Sequence, residues 1–328
     1  MVKMVWIDNI EQDNEKRQGG FECTRAIGML WIVSIWHCRD YISRFPWTLE
    51  LPIFTDITNG VLATFVFISG YFLGKKKFLN CYDIGEFYKR RFFHLYCPFF
   101  LSCLLMLILH YLYDAPYIAS IQQFLLSLAG LSLLIPPAPW TTWFVVFIIP
   151  CYLMTPFLVR SKYRVQTCIF TYAFVVVIQN VLKNYFGINS DERILEYLPI
   201  FLVALCLPYT IDTAFNMKKL LLSILLVFLL EILEVHFDSE YKYVLFTLFI
   251  IVFLEMGKLI NQCMLLKRIG MMMSSISMLS YLFHRQYLYI MKMILGDINM
   301  ICMYLIILPF FFIMLYMTII AKKRLRLL

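Results

Sequence analysis

Residues 298–321 read Ile-Asn-Met-Ile-Cys-Met-Tyr-Leu-Ile-Ile-Leu-Pro-Phe-Phe-Phe-Ile-Met-Leu-Tyr-Met-Thr-Ile-Ile-Ala, a stretch without one charged side chain. Wound as a helix, about 20 such residues cover the ~30 Å hydrocarbon core of a bilayer. The rest of the chain has the same character. Of its 328 residues 62% are hydrophobic, 17% aromatic and 15% charged, and its mean hydropathy is positive. A soluble domain carries about 25% charged residues. A chain this apolar cannot cover its surface in water, which excludes a soluble enzyme. Disorder is excluded too, since it needs high charge and few aromatics.

Eleven apolar runs are long enough to cross or nearly cross: 24–43, 57–74, 92–113, 117–135, 141–159, 164–183, 194–212, 218–235, 240–259, 268–290 and 298–321. Prolines 98, 150, 156, 199, 208 and 309 fall within them, and a helix bundle tolerates the kinks they impose. No fixed repeat or linker separates a second domain. The expected fold is an all-α polytopic transmembrane bundle. A cytoplasmic segment 1–23 precedes one membrane domain over 24–321, and a basic tail 322–328 follows it.

Charge sets the orientation. If all eleven runs cross, the 29 Lys and Arg divide almost evenly between the two sides; if 117–135 enters and leaves on one side, they divide 22 to 7. Basic residues collect on the cytoplasmic side. The expectation is therefore ten crossings, both termini cytoplasmic, a plasma-membrane location, and a re-entrant or peripheral helix over 117–135. The formal charge of +8 then reflects membrane orientation and predicts no nucleic-acid partner. The ten cysteines include no Cys-x-x-Cys pair and mostly sit in apolar runs as small hydrophobes. That pattern predicts neither a metal site nor a disulfide framework. Five acidic residues among the first 22 argue against a cleavable signal peptide.

The first run, Thr24-Arg25-Ala26-Ile27-Gly28-Met29-Leu30-Trp31-Ile32-Val33-Ser34-Ile35-Trp36-His37-Cys38-Arg39-Asp40, opens on an arginine and ends near a histidine. Ionisable groups within a span are costly and point to function. A neutral imidazole accepts a proton near neutral pH, so His37 suits a general base, with Asp40 three residues on to orient it. The plainer reading is a histidine bonded to a neighbouring helix. In the second run, Phe67-Ile68-Ser69-Gly70-Tyr71 has the small residues of close helix packing. A basic stretch follows, from Lys75-Lys76-Lys77 to Tyr88-Lys89-Arg90-Arg91. It fits cytoplasmic topology, and it fits equally a clamp for a phosphorylated cosubstrate. His284, beside Arg285, reads as a solvated residue at the outer end of its span, and His110 and His236 read likewise. Glu231 and Glu255 have no partner identifiable from sequence.

In order, these segments resemble the acyltransferase-3 family of integral-membrane acyltransferases, in particular the type that O-acetylates cell-surface polysaccharides. The resemblance rests on Arg25 and His37, Phe67 to Tyr71, Arg90, Arg91 and Pro98, Trp143-Phe144, and Ser277…Tyr281-Leu282-Phe283-His284. It implies acyl transfer, usually of acetyl from acetyl-CoA, to a hydroxyl of a surface glycan or its lipid-linked precursor. His37 would be the essential histidine, as general base or acyl acceptor, and Arg25, about 18 Å away along the helix axis, the arginine paired with it in catalysis. Arg25, Arg90, Arg91, Ser69 and Tyr71 would meet the CoA, a cosubstrate and not a resident cofactor. A transporter or flippase of a polyprenyl-linked glycan is the competing reading. The family usually sets ten residues between the arginine and the histidine; here there are eleven. At about 100° per residue the longer step turns the two away from a common face. The sequence therefore predicts a π-turn between Arg25 and His37 that absorbs one residue. His94 stands where the family often has an arginine, and Ala204 where it often has a glycine.

Overall fold

The computed structural model describes residues 19–42, 52–207, 214–234, 242–296 and 298–325. Among them the regular structure is all helix, with one isolated bridge between Ile42 and Ile298. Twelve α-helices follow in order: α1 Gly19–Trp31, α2 Pro52–Gly74, α3 Cys81–Arg91, α4 Cys97–Tyr113, α5 Ile121–Leu128, α6 Trp143–Arg160, α7 Arg164–Phe186, α8 Arg193–Cys206, α9 Met217–Glu234, α10 Lys242–Gln262, α11 Met264–Leu295 and α12 Met300–Leu325. Short π-turns continue α1 (Ile32–Trp36) and join α3 to α4 (Phe92–Tyr96). His236, Pro208, residues 1–18 and residues 326–328 lie outside the described residues.

Among the described residues six helices are long and apolar enough to cross a membrane: α2, the continuous Cys81–Tyr113 helix, α6, α7, α10 and α12. The other expected crossings fall on helices that are shorter, α1 and α8 at 13 and 14 residues, or more charged, such as α11 with Lys267, Arg268, Arg285 and Lys292. The run 117–135 holds only the eight residues of α5, about 12 Å of helix and less than half the hydrocarbon thickness.

The helices group into two compact units, one of Met1–Phe65, Thr210–His284 and Met291–Leu328, the other of Val66–Tyr209 and Arg285–Ile290. In the first unit α1 packs on α10 at backbone contact. A Cβ on Gly257 of α10 would stand 2.0 Å from Thr24 Oγ1 and 2.4 Å from the Gly20 carbonyl oxygen. The Thr24 hydroxyl lies 2.9 Å from the carbonyl of Gly20 and 3.1 Å from that of Phe253, bridging the two helices. Gly28 meets Val61 and Phe65 of α2, and the Trp31 indole N–H donates to Thr58 at 2.9 Å.

The order of these contacts gives direction. Along α1 the partners on α2 and α10 descend in number, so both helices run antiparallel to it. Partners on α11 ascend, from Gly270 against Cys23 to His284 against His37, so α1 and α11 are parallel.

In the second unit Gly70 and Gly74 take the small-residue role. A Cβ on either would meet the carbonyl oxygen of Phe201 at 2.5 Å or of Leu205 at 2.2 Å, and Ala204, fully buried, packs against Gly70. The Arg164 guanidinium donates to the carbonyls of Gly74 (2.9 Å), Val159 (3.0 Å) and Leu205 (3.4 Å), closing the last turns of α2, α6 and α8. At the start of α3, Asn80 and Asp83 form a capping box, each side chain accepting the other's backbone N–H.

Gly257→Ala should lower stability by about 1–3 kcal/mol, the scale of overpacking against an unyielding backbone. Gly85→Ala in α3 meets nothing within 4 Å and should be neutral or stabilising by up to about 1 kcal/mol. Thermal unfolding of the detergent-purified protein separates the two.

Candidate active site

The expected π-turn is present. Ile32–Trp36 forms it, and the His37 N–H closes it on the Ile32 carbonyl at 3.0 Å. The extra residue is taken up there, so the α1 groups on either side both turn towards α11. On the N-terminal side Glu22, 5% exposed, accepts from Arg25 at 2.9 Å and from the Ser274 hydroxyl of α11. Beyond the turn, His37 Nδ1 lies 2.6 Å from Nε2 of His284.

The two imidazoles meet edge to edge. Their ring centroids are 4.7 Å apart and their planes 17° from parallel. That separation is close to the N···N distance extended by both ring radii, so the short contact runs nearly in line with both rings, as a hydrogen bond requires. His37 is 8% exposed and His284 fully buried. Nδ1 of His284 lies 2.8 Å from the Tyr281 carbonyl and 3.1 Å from that of Ser280.

This corrects the sequence reading of His284, which is not a solvated end residue. α11 runs eleven residues past it to Leu295, leaving it inside the helix and not at its mouth. A signal was present: Gly270, Ser274, Ser277, Tyr281 and His284 recur at three- and four-residue steps, a small and polar stripe along one face of α11. Glu22 falls in what the sequence reads as a leading segment, but α1 begins at Gly19 and carries it inward. Glu255, which had no partner identifiable from sequence, is 1% exposed. It accepts from Lys258 at 2.7 Å and from the backbone N–H of Asn216 at 2.9 Å.

Asp40 stands on the turn after His37, exposed, with Arg39 3.6 Å from its carboxylate. Its backbone N–H reaches the His37 carbonyl at 3.4 Å. Arg25, Asp40 and His37 all belong to the first unit, whereas Ser69, Tyr71, Arg90 and Arg91 belong to the second. There, Tyr71 is buried and its hydroxyl accepts from Lys75. Ser69 is half-buried. The Arg90 side chain is 74% exposed and lies 3.9 Å from Glu86. Arg91 stacks over the Tyr152 ring, 4.5 Å from its centroid. The second π-turn follows directly. Pro98 has no N–H to give the His94 carbonyl, and Cys97 bonds back to Phe92 instead. His110 Nδ1 lies 2.9 Å from the Ala115 carbonyl, a local structural bond. Among the described residues no group of three His, Cys, Asp or Glu could hold a metal ion.

The family model of the acyltransferase-3 domain, described as an acyltransferase domain, matches residues 18–321. The chain belongs to this family and is a multi-pass membrane protein of acyltransferase type. Comparison with curated proteins and with solved structures gives no match.

Glu22→Ala removes the partner of both Arg25 and Ser274 and should cost about 1–3 kcal/mol. Asp40→Ala, at an exposed pair, should change stability by less than about 1 kcal/mol. Unfolding temperatures of the two variants should rank in that order.

Proposed function

We propose that the protein is an O-acyltransferase that moves an acyl group, acetyl first among them, from cytoplasmic acyl-CoA to a hydroxyl of a surface glycan or its lipid-linked precursor. The observation that carries this reading is the buried pair of imidazoles, His37 and His284, inside a chain of the acyltransferase-3 family. A sugar hydroxyl is a weak nucleophile until a base takes its proton, and positioned imidazoles are the commonest such bases. In the transfer the acyl–sulfur bond breaks and the acyl–oxygen bond forms. The hydroxyl proton passes to His37 and on to the departing CoA thiolate.

CoA is polyanionic. Arg90 and Arg91, with Lys75 held by Tyr71, offer it cations on the basic side, and guanidinium forks suit its phosphates. Arg25 is shared with Glu22, which makes it a weaker phosphate ligand than the sequence suggested and a better support for α1. The site would hold CoA transiently, as a cosubstrate.

The proposed topology has ten crossings in the plasma membrane with both termini cytoplasmic. The crossing count is supported by the parallel run of α1 and α11, and the orientation by the 22-to-7 division of Lys and Arg. If every other run crosses, a crossing at 117–135 would reverse α11 relative to α1.

Protein in lipid nanodiscs, given acetyl-labelled acetyl-CoA and a polyprenyl-linked glycan, should release CoA and label the glycan. His37→Ala should slow that transfer by about 10²–10⁴-fold in a protein that still folds, its stability lowered by about 1–3 kcal/mol because the buried His284 loses that contact. Glycan translocation with no acyl transfer by the unaltered protein would replace the enzyme with a transporter. Arg90→Ala with Arg91→Ala should raise KM for acetyl-CoA and leave kcat nearly unchanged, the mark of binding shared by ground and transition states.

A further inference from the structure

We infer that His284 is a positioning residue that fixes the tautomer of His37, so that Nε2 of His37 is the atom that takes the acceptor's proton. The inference rests on the acyltransferase reading and adds to it a residue and an atom.

The assignment follows from what both nitrogens of His284 and Nδ1 of His37 face. Nδ1 of His284 has the Tyr281 carbonyl at 2.8 Å and the Ser280 carbonyl at 3.1 Å. Carbonyl oxygens only accept, so this nitrogen carries a proton. In a neutral ring the other nitrogen, Nε2, is then a lone pair. It faces Nδ1 of His37 at 2.6 Å, a distance that requires a proton between them, and His37 must supply it. A neutral His37 that is protonated at Nδ1 has its lone pair at Nε2. The hydrogen-bonded chain therefore has one direction, from His37 to His284 to the α11 backbone.

Position makes the chain firm. His284 is fully buried and His37 is 8% exposed, so water does not compete freely for these nitrogens. When the acceptor's hydroxyl proton arrives at Nε2 of His37, the Nδ1 proton strengthens its bond to His284, which spreads the positive charge over two rings. A carboxylate does this elsewhere for a working histidine; here a second imidazole does it without placing a net negative charge in the membrane. The proton leaves from Nε2 of His37 to the CoA thiolate, which returns both rings to their starting state.

The test has two arms. In protein carrying ¹⁵N-labelled histidine, five residues in all, ring nitrogen shifts should show His37 protonated at Nδ1 and unprotonated at Nε2. His284→Phe, which keeps a ring but no acceptor, should abolish that preference and lower kcat by about 10–100-fold, the scale for losing the partner that orients a working imidazole. KM for acetyl-CoA should hold. His284→Gln offers an amide oxygen near the place of Nε2 and should restore kcat to within about tenfold of the unaltered protein. A His37 protonated at Nε2, a His284→Phe protein with unchanged kcat, or a glutamine no better than phenylalanine would each overturn the inference. The stated tautomer in a protein that transfers no acyl group would overturn the proposed function instead, and the catalytic use of the pair with it.

Discussion

The contact between α1 and α10 is the constraint on which the first unit depends. At Gly20, Thr24 and Gly257 the two backbones touch, and any side chain on Gly257 would collide with a carbonyl. In lipid there is little hydrophobic force to press helices together, and close approach through small residues supplies the packing instead. With one flank held in this way, α1 has a fixed roll. Its opposite flank carries Glu22 and His37 onto α11, where Ser274 and His284 receive them. A buried carboxylate or imidazole is expensive in such surroundings, and each is given a partner by that roll.

Charge placement follows the same economy. Glu22 and Glu255 are both buried, and both are neutralised by a cation three residues away on the same helix, Arg25 and Lys258. Such pairs form as soon as the helix does and need no distant partner. The histidines are different, because they come from segments 247 residues apart in the chain. The ion pairs are local, whereas the imidazole pair is a product of tertiary structure.

That distinction explains what the sequence could convey. Helical class and membrane character were plain from the length of the charge-free runs, and the spacing of Arg25 and His37 foretold the π-turn at Ile32–Trp36. The small residues of the second run correctly announced close packing, seen at Gly60, Gly70 and Gly74. The sequence misplaces His284 because its neighbour Arg285 suggests water. Where α11 ends, and what packs on it, is settled by helices far off in sequence. Pro98 does not announce the π-turn at Phe92–Tyr96, since a proline's missing donor signals a disturbed ladder but not the form the repair takes.

The turn at Ile32–Trp36 also bears on how this chain should be compared with its kin. A one-codon insertion in a regular helix would swing everything beyond it by about 100°, yet here the surplus is looped out within five residues. Selection can then tolerate length drift in the first span without losing the aspect of either end. An alignment that forces Arg25 and His37 into one ungapped block would misplace one of them, and the gap belongs inside the bulge.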